Sequence, residues 1–159
     1  MSFILDAWAM RLVRTNSTEP DFLKLVSLLD AELAGRDGED HAFYSQYNKL
    51  DRIDTVVLCY EGKEPVGSGA MKPFEPLTME IKRMYVDPRL RGRGIAARVL
   101  GELEEWAREL GMTRTILETG KRQPEAIRLY EKNGYLIIPN YGPYIGVENS
   151  VCFEKSLVS

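Results

Sequence analysis

The apolar positions of the chain change period along its length, and each change marks an element. Residues 9–14 alternate and predict a first strand. Thr18-Glu19-Pro20-Asp21 reads as a helix cap with an acidic first turn. Beyond it Phe22, Leu25, Val26, Leu29 and Leu33 recur at helical spacing, and Gly35 is a natural stop. Residues 36–49 lose the pattern; polar and aromatic, with His41, Phe43, Tyr44 and Tyr47, they predict a short helix in a long connection. The β-branched run 55–60, a turn at 61–65, the strand 66–72, a turn around Phe74-Glu75-Pro76 and the strand 79–86 make an antiparallel meander.

The second half reads as helix, strand, helix and two strands. Residues 96–110 carry Val99, Leu103, Trp106 and Leu110 on one stripe, with glutamates outside and Gly111 as the stop. The strand 113–117 is parallel to the one before that helix by the usual crossover rule. A helix over 124–132 ends at Asn133-Gly134, and strands follow at 135–138 and 151–153. Between these last two lies a turn-rich loop with Asn140, Tyr141, Tyr144 and Glu148. There is no internal repeat, linker or low-complexity tract, so the 159 residues read as one α/β domain.

Composition narrows the function classes. Hydrophobic residues make up 44% and charged residues 28%, with a net charge of -3, which argues against disorder and against nucleic acid as a partner. Cys59 and Cys152 sit in apolar runs without CxxC spacing, and His41 is the single histidine, so neither a disulfide scaffold nor a metal site is expected. No window reaches the ~18 apolar residues of a membrane span, and the first residues carry no basic leader; a cytoplasmic protein is the expectation.

The chemistry concentrates between Val86 and Ala97, where a strand end meets a helix start through Asp87-Pro88-Arg89-Leu90-Arg91-Gly92-Arg93-Gly94. At such a turn the first-turn N–H groups lack intrahelical partners, the helix dipole is positive, and glycines let an anion approach the backbone. Gly92-x-Gly94-x-x-Ala97 also satisfies the dinucleotide pattern, with Glu118 near the end of the next strand. The antiparallel strands upstream and the 65 residues after Gly94 leave no room for two mononucleotide halves. Gly120-Lys121 lacks the upstream glycine of a Walker A loop.

Arg89, Gly92 and Gly94 fill the Arg/Gln-x-x-Gly-x-Gly/Ala signature, and Ala126, Leu129, Tyr130, Gly134 and Tyr135 fill a second motif, A-x-x-L-Y-x-x-x-G-F/Y. With both in order, the chain resembles the GNAT superfamily of acyl-CoA-dependent N-acetyltransferases from about residue 9 to its end. The resemblance implies a twisted, mostly antiparallel mixed sheet of about six or seven strands flanked by helices, with a splayed parallel pair of strands 4 and 5. It implies acetyl-CoA as cosubstrate, its pyrophosphate on Arg91, Gly92, Arg93, Gly94, Ile95 and Ala96, with Arg89 also available. It places the pantetheine arm along Met84, Tyr85 and Val86. Where the family often has an asparagine for that arm, this chain has Gln123.

The resemblance further assigns Tyr130 as general acid and Glu80 as candidate general base; Glu80 reads equally as a strand carboxylate paired with Lys82 or Arg83. Cys59 or Cys152 as a covalent nucleophile has no spacing to recommend it. The acceptor implied is a small-molecule amine, met by His41, Tyr44, Tyr47, Asn140, Tyr141, Tyr144 and Glu148, and a homodimer is consistent with the family. Two other readings stay open: a non-catalytic acyl-CoA sensor and a dinucleotide-dependent enzyme.

Overall fold

Strand β2 (Thr55–Glu61) has both of its faces covered, and it sets the architecture. Val57 and Cys59 pack in one core, Val56 and Leu58 in another, as the period-2 alternation of a strand dictates. The structure, a computed structural model, describes residues 10–37 and 52–158. The expected short helix around His41, Tyr44 and Tyr47 lies outside the described residues.

The remaining elements are β1 (Met10–Thr15), α1 (Pro20–Asp37), β3 (Glu64–Glu75), β4 (Thr78–Val86), α2 (Ile95–Glu109), β5 (Arg114–Gly120), α3 (Pro124–Lys132), β6 (Leu136–Ile138) and β7 (Ser150–Ser156). They build one seven-stranded sheet in the order β1-β2-β3-β4-β5-β7-β6. Every neighbouring pair is antiparallel except β4 and β5, as the resemblance implied. One parallel pair in a meander is not a dinucleotide-binding array, so the dinucleotide reading falls.

α1 buries Phe22, Leu25, Val26 and Leu29 against Val56, Leu58, Ala70 and Tyr85. Each such side chain contributes about 1.5–3 kcal/mol of burial. The helix runs two residues past Gly35, whose backbone is not in the left-handed conformation that ends helices. Pro65 and Pro73 do not stop β3; each falls at an irregular register of the strand, where a missing N–H is tolerated.

α2 corrects two expectations. Its buried stripe is Ile95, Val99, Leu100, Leu103 and Ala107, whereas Leu110 is 48% exposed and Trp106 lies at the rim beneath the Arg14 guanidinium. Its glutamates are not all outside: Glu104 is buried and accepts hydrogen bonds from Tyr135 Oη and Lys155 Nζ, each at 2.9 Å. A charge at that depth is tolerable because it is paired and hydrogen-bonded. Among the described residues no helix is long and apolar enough to cross a membrane.

Candidate active site

The parallel ladder between β4 and β5 is short. It pairs Thr78 with Arg114, Met79 with Thr115 and Glu80 with Ile116, and goes no further. Beyond Glu80 the two strands part, while β4 keeps its pairing with β3 as far as Val86. The gap opens into a cleft of about 460 Å³ roofed by α1 and α3.

At one end of the cleft stands the glycine turn. Asp87 accepts the Arg89 N–H at 2.9 Å and caps a single helical turn over Pro88–Leu90, whose Leu90 is buried. Gly92 and Gly94 then take φ of +84° and +79° before α2 begins at Ile95. Nothing lies within 4 Å of where a Cβ on either would sit, so glycine is required there by backbone conformation and not by crowding. Gly92, Gly94, Ile95 and Ala96 line the cleft and bring the first turn of α2 to it.

The three arginines separate. Arg91 lines the cleft, held by Nε to the Val86 carbonyl at 3.0 Å and by Nη2 to Glu32 at 2.7 Å. Arg89 and Arg93 do not line it. Arg89 is 70% exposed and braces the turn through Asp87 and Glu64, and Arg93 is 60% exposed with Glu61 at 3.9 Å. Hydrogen bonds from Arg89 hold the Asp87 carboxyl below its ordinary value.

Along the cleft wall run Met84, Tyr85 and Val86, with Gln123 opposite at the cap position of α3. At the far end Tyr130 and Glu80 both reach the cleft. Tyr130 is buried against the rings of Tyr135 and Phe153, with centroids 5.8 Å away in each case. Burial, reinforced by the charge of Glu118, pushes its phenol well above the usual tyrosine value. Glu80 is 6% exposed; Tyr141 Oη donates to its Oε2 at 2.7 Å, and Lys82 Nζ lies 3.8 Å from its Oε1. Both readings of Glu80 thus survive in one geometry: it faces the cleft and it has a lysine beside it.

The late loop divides the expected acceptor residues. Tyr144 lines the cleft and Tyr141 holds Glu80. Asn140 spends its amide on the Tyr144 and Val147 carbonyls at 3.0 Å, so it fastens the loop; Glu148 is exposed away from the cleft. Among the cleft residues not anticipated for the acetyl-transfer site are the charged or polar Glu32, Lys82, Arg83, Glu118 and Thr119. Cys59 and Cys152 are fully buried, and burial raises both thiols, Cys152 to about 11, which makes either a poor nucleophile.

A seven-stranded sheet with one splayed parallel pair, and a phosphate-type turn at the mouth of the gap, define the fold of acyl-CoA-dependent transferases. Residues 22–135 match the model of the acetyltransferase (GNAT) family, and the chain belongs to that family. A Klebsiella pneumoniae protein assigned to the acyl-CoA N-acyltransferases superposes with a TM-score of 0.79 at 29% identity, over 94% of this chain and 98% of that one. The PaiA N-acetyltransferase of Thermoplasma acidophilum, solved in complex with coenzyme A, shares the fold with a TM-score of 0.68 at 16% identity, over 93% and 99% of the two chains. An IAA acetyltransferase of Azospirillum brasilense is 41% identical over 78 residues, 49% of this chain and 51% of its own. The chain thus spans about half the length of the curated relatives it matches first.

Proposed function

We propose that the protein transfers an acetyl group from acetyl-CoA directly to the primary amine of a small molecule. The observation that carries this reading is the end of the β4–β5 ladder at Glu80, which opens a cleft with an anion cradle at one end and Tyr130 and Glu80 at the other. The residues fit the cosubstrate. Two left-handed glycines and a helix start suit a pyrophosphate, and Arg91 adds a full charge there. The β4 edge past Glu80, with no strand beside it on the β5 side among the described residues, suits the amide groups of a pantetheine arm. Acetyl-CoA, when bound, supplies the activated acetyl group as a thioester.

The chain's own residues supply the proton handling. Tyr130 keeps its proton because the neutral phenol is favoured in its apolar surroundings, and it donates where the departing sulfur collects charge. The raised phenol is a weak acid against a thiol of ordinary pKa about 8.5, so its contribution is a hydrogen bond that tightens as the thiolate forms. Glu80 accepts the proton of the incoming ammonium, directly or through water, with Tyr141 fixing its orientation. β4 bulges where its register with β3 shifts between Ser68 and Ala70, opposite Lys82 to Tyr85, and backbone N–H groups of this strand are the candidates to polarise the thioester carbonyl. A cytoplasmic location is part of this proposal. So is a homodimer, for which the exposed Leu136 and Ile137 of edge strand β6 offer an apolar surface.

Thermal shift and thiol release test it together. Acetyl-CoA should raise the melting temperature while NAD and NADP leave it unchanged, and an amine panel should release free thiol. Tight acetyl-CoA binding with no thiol release from any amine returns the protein to the sensor reading.

A further inference from the structure

Glu104 is a buried carboxylate outside the cleft, and its partner Tyr135 belongs to the apolar core on the α2 side. Lys155 Nζ of β7 donates to Glu104 Oε1 and Tyr135 Oη to Oε2, each at 2.9 Å. Tyr135 Oη also lies 2.9 Å from Thr115 Oγ1 of β5. A phenol has one hydrogen, and Glu104 takes it, so Thr115 donates to Tyr135. One hydroxyl thus ties the turn after α3 to α2 and β5, and through Glu104 to β7.

What this network holds in place stands next to Tyr135. Its N–H donates to the Tyr130 carbonyl at 3.0 Å, closing the end of α3 through Gly134 at φ of +90°. Its ring meets the Tyr130 ring edge-on, with centroids 5.8 Å apart and planes at 65°. The second ring against Tyr130 is Phe153, which has no polar atom and is fixed by packing alone. Stability does not account for the difference, because apolar residues of similar volume commonly replace a buried ionic cluster at no loss. A satisfied polar network instead fixes one arrangement of its members. Tyr130 reaches the cleft and Tyr135 does not, so any effect of this network on chemistry passes through Tyr130.

We propose that Tyr135, fixed by Glu104, Thr115 and Lys155, is a positioning residue that sets the angle at which Tyr130 presents its hydroxyl to the departing sulfur. This rests on the acid role proposed for Tyr130 above and deepens it. The reaction stays balanced: the C–N bond forms as the C–S bond breaks, with no oxidant or reductant. Of the two protons that the ammonium gives up, one passes by Glu80 to solvent and the other is made good on the leaving thiol, through Tyr130.

A double-mutant cycle tests this by initial rates of thiol release, with an amine that the protein uses. It compares the parent with Tyr135→Phe, Tyr130→Phe and the doubly substituted protein. A misplacement of about 1 Å costs up to about a hundredfold, so Tyr135→Phe, which keeps the ring, should lower kcat about tenfold and leave the KM for acetyl-CoA within about twofold. In the Tyr130→Phe background the same change should cost less than about twofold, because the hydroxyl it positions is gone. Where Tyr135→Phe unfolds the protein, Thr115→Val carries the cycle instead, since Glu104 then keeps both donors. Its expected loss is about threefold in the parent and none with Tyr130→Phe. Equal losses in both backgrounds, or no loss in the parent, overturn the positioning role and leave acetyl transfer intact. No thiol release from any amine, or a Tyr130→Phe protein that turns over like the parent, overturns the acid role and this proposal with it.

Discussion

Tyr141 donates its phenolic hydrogen to Glu80 Oε2 at 2.7 Å, and this bond ties the loop after β6 to the point where β4 leaves β5. Tyr141→Phe keeps the ring against Phe74 and Tyr144, whose centroids are 5.0 and 5.8 Å away, so any effect belongs to the hydroxyl. A buried carboxylate deprived of a donor costs about 1–3 kcal/mol. Urea denaturation should show that loss, and turnover should fall while acetyl-CoA affinity holds. A variant as stable and active as the parent would mean that Glu80 needs no orienting partner.

The three arginines of the turn should not contribute equally. Arg91→Ala should weaken acetyl-CoA binding by about tenfold or more, the loss of one charge-assisted phosphate contact, whereas Arg93→Ala should stay within about twofold. Glu32→Gln should tighten binding, because Glu32 competes with a phosphate for Arg91. Calorimetric affinities at two salt concentrations check all three.

Two glycines should fail for different reasons. Gly94→Ala meets no atom but must hold φ of +79°, a strain of about 1–2 kcal/mol that falls on the cradle. Gly69→Ala would push a Cβ to within 2.6–2.8 Å of Met84, Leu103 and Val99, where α2 lies on β3. The first should weaken acetyl-CoA binding in a folded protein. The second should lower the melting temperature several degrees more, since a core that tight has no slack.

Much of this was legible in the chain because its elements are punctuated by period. Phe22, Leu25, Val26 and Leu29 find the core their spacing predicts, and the two motifs locate the cradle and Tyr130. The α2 stripe was misread because Trp106 and Leu110 are apolar yet sit at the rim, where Arg14 covers the indole. Propensity also could not reveal that Glu104 is buried, since its partners Tyr135 and Lys155 come from the end of the chain. The bulge did leave a trace. Met79 and Ile81 keep one alternation and Met84 and Val86 another, and the slip between them falls on Lys82-Arg83. That phase break is what turns two charged residues of an inner strand into cleft residues.

Tyr130→Phe should lower kcat by about a hundredfold, the scale of one positioned acid, and leave acetyl-CoA affinity almost unchanged. Because burial raises the phenol, the parent enzyme should show no fall in rate from Tyr130 ionising as pH approaches 10. A basic limb below pH 9 that vanishes in Tyr130→Phe would sink the assignment.

Lys82 makes a prediction about stability that a residue retained for the fold would not. Burial lowers its ammonium pKa from the ordinary value, against the opposing pull of Glu80. The unfolded chain holds that proton up to about pH 10.4, so between the lowered native value and 10.4 the unfolded state binds more protons than the native one. Stability contributed at this site must therefore rise with pH through that window, and the full penalty is felt below it. Urea midpoints from pH 7 to 10 should show the parent gaining on Lys82→Met as pH climbs. Comparing the two cancels the buried tyrosines, whose raised values act in the opposite sense near pH 10. At any one pH the Lys82→Met variant both sheds the ammonium's desolvation cost and strips buried Glu80 of its neighbouring cation, so the change of the difference with pH, and not its size at pH 7, is the readout. A difference between parent and variant that stays constant from pH 7 to 10 would mean that burial does not lower the Lys82 ammonium.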